Sequence, residues 1–315
     1  MISFRYHLVS IVAVFLALGL GILAGTTVIN QQVVKGLKHR TRAAEQDVAS
    51  LRGQLVDIRG QVGDLQGFIK DATPFLIDGK LAGQQVVLLT QDGSDPAAVA
   101  EARTALADAG ARVTQLDLTS RMALSDPTSQ KDLATLLSVP ADTPPETLQA
   151  TAARSLGDRL ASGPPANDLP QPNAPRDLLE GLLSKGFLQA TSLTPAQLPG
   201  IGGLDQAVVI VAGGNSAPAV PLESFLLPLI SQLEQHVGVP VAAAESTTTT
   251  TFPFVPLLRG DGQLASDPMV TVDDLDPDHG GWVALVLGLR NLVLTGQGGN
   301  YGLKTGSDGL LPRAA

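Results

Sequence analysis

The chain has 315 residues, 22 prolines, no cysteine and a formal net charge of −9. Without cysteine there are no disulfides, zinc–thiolate centres or thiol catalysis, and the acidic balance argues against nucleic acid as a partner. The length allows one large domain or two small ones beyond a membrane segment.

After a short tail, 1–7, residues 8–27 read LVSIVAVFLALGLGILAGTT without a charge. At ~1.5 Å per residue this run crosses the ~30 Å hydrocarbon core of a bilayer, and a transmembrane helix is expected over 8–29. A cleaved signal peptide is the alternative. A cut after Gly25, however, would put Leu23 two places upstream, where a small residue is wanted, and the apolar run is longer than a usual signal core. Arg5, Lys35, Lys38, Arg40 and Arg42 give the first 42 residues +5, which leaves −14 on the remainder of a chain totalling −9. The basic residues past the span favour a cytoplasmic domain, whereas the very short tail suits a signal-anchor with its tail inside. The cluster from Lys35 to Arg42 reads either as a contact with anionic headgroups or as a solvated helix face.

A heptad repeat follows over 30–72. Val34, Thr41, Val48, Leu55, Val62 and Ile69 occupy position a, and Leu37, Ala44, Leu51, Ile58 and Leu65 occupy d. Mostly β-branched a with Leu or Ile at d favours a parallel two-stranded coil, in which Arg40 meets Glu45 and Asp47 meets Arg52 of the partner. Gly36, Gly53, Gly60, Gly63 and Gly67 all fall off the seam, each at a cost of about 1 kcal/mol against Ala. The alternative is a single amphipathic helix lying on its own globular domain. From Val34 to Ile69 the helix would be a spacer of roughly 54 Å.

The first proline is Pro74, so the stalk is expected to end near 71–74 and an α/β domain to fill 73–301. Strands are expected at 84–90, 112–118, 206–212, 239–244 and 269–272. Helices are expected from Pro96 to Ala109 and at 130–138, 145–160, 176–185, 221–236 and 280–294. The alternation implies β-α-β units and a mainly parallel, Rossmann-like sheet. The segment 162–175, SGPPANDLPQPNAP, reads as an exposed loop, and 302–315 as a disordered tail. No periodic ~10-residue alternating strands suggest a transmembrane barrel.

Gly213-Gly214-Asn215 ends a strand before a helix, where open α/β sheets hold ligands. Neither a dinucleotide nor a P-loop fingerprint accompanies it, so a tight turn is the simpler account. Asp273, Asp274, Asp276 and Asp278 with His279 look metal-like, but calcium-loop spacing fails because His279 and Leu285 stand where Gly and Glu are needed. An acidic cap for the last helix accounts for them more simply. Gly213, Gly214, Asn215, Asp273 and Asp274 therefore form a candidate ligand crevice. Met1, Met122 and Met269, and the four histidines, are scattered, which argues against a high-affinity copper site within one chain. No Ser-His-Asp spacing or carboxylate pair points to an enzyme.

The N-terminal MISFRYHLVSIVAVFLALGLGILAG, the heptads, and the C-terminal VTVDDLDPDHGGWVALVLGLRNLVLTGQGGNYG with its Asn300-Tyr301-Gly302 together resemble the MctB/SteB family of actinobacterial proteins. The resemblance runs the length of the chain in the same order. It implies a single-pass protein of the cytoplasmic membrane with its C-terminal domain outside the cytoplasm, against the charge count. It implies one of two roles. The first is copper efflux, for which members are described as outer-membrane channels. The second is that of SteB, a partner of SteA in cell separation and control of cell-wall hydrolysis. No catalytic residue carries over, and copper enters as a cofactor by family name only. A pore needs several spans or a closed barrel, so the residues favour a non-enzymatic, anchored interaction scaffold. Its expected form is a parallel homodimer with a SteA-like membrane protein as partner, and copper transport is the alternative.

Overall fold

The computed structural model describes residues 4–164, 177–191, 195–262, 264, 268–276 and 280–313. Most of the expected loop at 162–175 lies outside these residues, as do Asp278 and His279. The chain forms two compact units, Met1–Gly67 and Phe68–Ala315.

The first unit is the greater part of one helix, α1 (Phe4–Ile77). Its stretch Arg5–Gly25 is long and apolar enough to cross a membrane, and none of it is buried within the protein. Helix therefore begins earlier than the span expected from the uncharged run. It also ends later, since α1 continues through Pro74, which was expected to stop it. The absent proline N–H deprives only the Lys70 carbonyl, which lies at an exposed position, and water can satisfy it there. Packing of the last turns supplies the compensation: Ile77 is buried and Thr73 Oγ donates to the Ile69 carbonyl at 2.7 Å.

The second unit is a seven-stranded sheet in the order β3-β2-β1-β4-β5-β6-β7. The strands are β1 (Gln85–Gln91), β2 (Arg112–Leu118), β3 (Leu188–Ala190), β4 (Gln206–Val211), β5 (Val241–Ala244), β6 (Val270–Val272) and β7 (Gly299–Tyr301). All neighbours pair in parallel except β3, which runs antiparallel to β2. The runs VVLLT, AVVIV and VAAA are apolar without alternation because helices cover both faces of these central strands. One face carries α2 (Pro96–Asp108), α8 (Gly281–Thr295) and the end of α1 around Ile77. The other carries α3 (Pro127–Leu137), α4 (Pro145–Ser162), α5 (Leu178–Ser184), α6 (Leu227–Gln235) and α7 (Val255–Gly260).

Local chemistry sets the ends. The Asp95 carboxylate accepts from Ala97 N at 2.9 Å with Pro96 at the first helical position, and Asp126 accepts from Ser129 N at 2.9 Å ahead of Pro127. The helix expected over 221–236 starts instead with a wide turn, Leu222–Leu226, in which Leu227 N reaches back to the Leu222 carbonyl. Pro228 has no N–H to donate, and the break in the ladder falls just ahead of it.

The crossovers differ in hand. From β1 to β2 the chain moves toward one edge over the α2 face. From β4 to β5 and from β5 to β6 it moves toward the other edge over the opposite face, which is the same hand. From β6 to β7 it moves that way again, yet α8 lies on the α2 face. This last unit therefore has the opposite hand to the other three crossovers, and it lays α8 against α2 and the end of α1.

Residues 302–313, expected to be disordered, fold back along β7. Asp308 N donates to the Asn300 carbonyl at 2.6 Å, Gly302 N donates to the Gly309 carbonyl at 2.9 Å, and the Asp308 carboxylate accepts from Asn300 N at 2.9 Å. The segment thereby covers the free edge of β7, which would otherwise be open to pairing.

Candidate functional site

Three regions answer to the residues singled out by sequence. The first is the heptad stripe on α1. Leu37, Leu51 and Ile58 are 65%, 58% and 55% exposed, and Val48, Leu55, Val62 and Leu65 are exposed with them. Ala44 lies on the same exposed stretch, and the side chain of Val34 is outside the described set. Ile69 differs: it belongs to the second unit and packs against the core cluster beneath α8.

The second region is the crevice at the carboxyl ends of β1 and β4, where the crossovers diverge and open sheets accept ligands. Here the protein's own backbone fills it. A Cβ on Gly214 would collide with the Gly93 carbonyl oxygen, and one on Gly93, at φ +95°, would meet the Ala217 oxygen at 2.9 Å. Ala219 N donates to the Asp92 carbonyl at 2.8 Å across the gap. Gly214 pairs with Phe252 as an isolated antiparallel bridge. Asn215 pins the threonine run. Its Oδ1 accepts from Thr250 N at 2.9 Å and Thr251 N at 3.3 Å, while its Nδ2 donates to the Thr248 carbonyl at 2.8 Å. The first turn of α2, where a phosphate would sit, already holds the Asp95 carboxylate, and Asp92 stands at the mouth as well. The two carboxylates repel a nucleotide phosphate.

The third region is a buried ionic network at the carboxyl ends of β5 and β6, with Glu245, Asp273, Asp274 and Asp276. Glu245 is fully buried. Its Oε1 pairs with Lys304 Nζ at 2.7 Å, and its Oε2 accepts from Phe254 N at 2.6 Å and Val255 N at 3.2 Å at the start of α7. Lys304 Nζ also donates to the Ser246 and Thr249 carbonyls at 3.1 and 2.8 Å. Burial pushes the Glu245 carboxyl above its ordinary range, and the Lys304 bond and the α7 N–H groups oppose that shift. Asp273 pairs with Arg259 and accepts from Leu303 N at 2.6 Å and Lys304 N at 3.0 Å. Arg259 further donates to Thr271 Oγ at 2.8 Å and to the Tyr301 carbonyl at 2.9 Å. Asp276 accepts from Ser246 Oγ at 2.6 Å and Thr247 N at 2.7 Å.

Asp273 and Asp276 do not cap the last helix as expected. The residue ahead of α8 is Gly280, with no side-chain cap. Asp273 and Asp276 turn back instead to the strand ends, and Asp274 lies against Gly281 so closely that no Cβ fits there. Glu245, Arg259 and Lys304 were missed from sequence. Glu245 carried one signal, an acid placed directly after the buried run VAAA. Lys304 carried none, because its segment is polar and glycine-rich.

Beside Arg259 lies a cavity of about 510 Å³, lined among others by Leu258, Met269, Thr271 and Asn300. Among the described residues no group of three or more His, Asp or Glu side chains is placed to hold a metal ion. Met269 is a single thioether at this cavity, and Met122 is fully buried in the core. The donor set does not match what Cu(I) prefers.

Sequence comparison adds two findings. A family profile for "Copper transport outer membrane protein, MctB" matches residues 1–312. The chain is similar to proteins named Copper transporter MctB, at 25% identity over 318 residues with that of Mycobacterium tuberculosis and 28% over 322 residues with that of Mycobacterium leprae, covering 98% of each chain in both pairs.

Proposed function

The chain belongs to the MctB family, and on that premise we propose that it acts as a membrane-anchored, non-enzymatic scaffold. In this reading its N-terminal helix holds it at the cytoplasmic membrane and its heptad stripe joins two copies in a parallel coil. The α/β domain stands outside the cytoplasm and binds an envelope or division partner of SteA type. One observation carries the proposal: Leu37, Leu51, Leu55, Ile58 and Leu65 are all more than half exposed on one helix at heptad spacing. An apolar stripe of that length needs cover, and a shared anchor raises the local concentration of the partner helix. The filled crevice and the internally paired acids fit a domain that presents a surface rather than turns over a substrate.

Single Leu51→Cys and Ile58→Cys variants of the full chain, oxidised in membranes, test the proposal. Disulfide-linked dimers are expected at both positions, and their absence would sink it.

Copper transport is the second reading, favoured by the printed names of the family and of the mycobacterial relatives, with the outer membrane as its compartment. A single span of this kind cannot form a pore alone. Calorimetric titration of the detergent-solubilised full chain with Cu(I) separates the two readings. Sub-micromolar binding would establish a direct role for this chain in copper handling, and its absence removes direct ligation.

A further inference from the structure

The last turns of α1, within the second unit, carry two apolar faces and use only one of them. Ile69, Thr73 and Ile77, spaced by four, lie on the domain side. Ile69 Cγ2 would be 3.3 Å from a Cβ on Gly280, Trp282 Nε1 donates to Thr73 Oγ at 3.3 Å, and Ile77 is 1% exposed. Phe68 and Phe75 stand one heptad apart on a stripe about 100° round the helix from that face. They are 70% and 87% exposed, with Leu76 beside them at 42%.

The spacing indicates what covers them. The seam runs in alternating steps through Ile58, Val62 and Leu65, and its next a residue would be Ile69, which the domain already takes. Phe68 follows Leu65 by three, Ala72 follows by four, and Phe75 by three again. The d positions thus continue unbroken while the other seam position moves from a to the preceding g. Two successive three-residue steps, Val62 to Leu65 to Phe68, are a stammer, which overwinds a coil locally.

We infer that the seam shifts by one position at Phe68, so that Phe68, Ala72 and Phe75 meet the same residues of a second copy of this chain. The inference rests on the self-association proposed above. A second copy is the occupant because the seam being continued is self-complementary in charge: in a parallel register Arg40 faces Glu45, and Asp47 faces Arg52, of the other copy. Four phenylalanines per pair bring on the order of 600 Å² or more of apolar area, about half of what a specific interface needs. The shift lets the two helices stay in contact at the base without displacing Ile69 from its own domain.

The native chain has no cysteine, so single cysteines report contacts directly, a disulfide requiring Cα atoms within about 7 Å. Leu51→Cys, Ile69→Cys and Ala72→Cys are made in the full chain and oxidised in membranes. Leu51→Cys and Ala72→Cys are expected to give dimers and Ile69→Cys to stay monomeric. A dimer from Ile69→Cys beside that from Leu51→Cys, with or without one from Ala72→Cys, which is a d position in either seam, overturns the shift and leaves self-association standing. No dimer at any position overturns both. Ala72→Cys alone supports the basal contact and overturns the seam it was argued to continue. As a second measurement, the Phe68→Ser/Phe75→Ser double variant, centrifuged in detergent, is expected to dissociate at a concentration more than ~10-fold higher than the parent. An unchanged dissociation constant refutes burial of the two rings.

Discussion

Lys304→Met is the sharpest probe of the ionic network. Methionine keeps much of the apolar stem and removes the ammonium that sits 2.7 Å from the buried Glu245 carboxylate. Removing one partner of a buried pair costs about 3–5 kcal/mol, because the remaining charge stays desolvated. Two features place the cost at the lower end. Oε2 keeps its two N–H donors from the start of α7, and the lysine side chain is 19% exposed. About 3 kcal/mol is expected, which for a unit of this size lowers Tm by about 6–12 °C. The deficit must also depend on pH with a definite sign. Burial holds the Glu245 carboxyl above its ordinary value of 4.5, so between 4.5 and the raised value the folded chain keeps a proton that the unfolded chain has released. The penalty on folding is absent below that window, grows as pH rises through it and is complete above it. Loss of the ammonium raises the carboxyl further. The Tm gap between parent and variant should therefore be widest at pH 8 and narrow toward pH 5, measured by calorimetry on the full chain in detergent. A gap below about 2 °C at pH 8, or one that does not change with pH, would refute the assignment of Lys304 as the counter-ion that makes this burial tolerable.

Four further outcomes are expected. Asn215→Ala removes the side chain that holds the threonine run, so limited proteolysis should cut faster within 247–251 while the global unfolding free energy falls by no more than the ~1 kcal/mol of a few partly exposed hydrogen bonds. Gly214→Ala should lose at least ~2 kcal/mol in denaturant melts, since its Cβ meets a fixed backbone oxygen with no side chain to yield; Gly60→Ala, with nothing within 4 Å, should raise the stability of α1 by about 1 kcal/mol in circular-dichroism melts. Arg159→Met breaks a buried pair with Asp177, held at 2.6 Å through Nε and through Nη2, along with a bond to the Ile201 carbonyl, and should cost about 3–5 kcal/mol.

Much of the α/β framework can be read in the sequence because its central strands are covered on both faces and appear as unbroken apolar runs, and because Asp95-Pro96 and Gly110 punctuate the first helix. β3 and β7 are three residues each, and neither LQA nor GNY has a pattern to detect; only neighbours distant in sequence make them strands. Pro74 misled for a related reason. Local propensity stops a helix there, and the packing of Thr73 and Ile77 outweighs it. The site was legible in its turn and not in its charges. Gly213 to Asn215 could be seen as a strand end, but the pairing of Asp273 with Arg259 and of Glu245 with Lys304 spans 14 and 59 residues, and no local spacing encodes a contact of that range.

These pairings bear on the copper name. A copper path needs exchangeable soft donors in succession, near enough for the ion to pass between them. The two methionines in the described residues are buried, Met122 completely, and are part of the packing of one core cluster. The acids at the sheet's carboxyl edge are committed to arginine, lysine, hydroxyl and backbone partners, and displacing them would expose the charge that Lys304 and Arg259 neutralise. Along α1, by contrast, the heptad stripe and the two phenylalanines at its base are exposed apolar surface. If copper transport in this family passes through this protein, the physical account with fewest demands is that α1 gathers copies or partners and the ligands belong to what is gathered. Copper sensitivity in cells should then follow the Phe68→Ser/Phe75→Ser variant, which touches no donor atom, and be indifferent to Met122→Leu and Met269→Leu, which remove both buried thioethers at nearly constant volume. The reverse pattern in a growth assay on copper would place the ion inside the α/β domain and refute the scaffold.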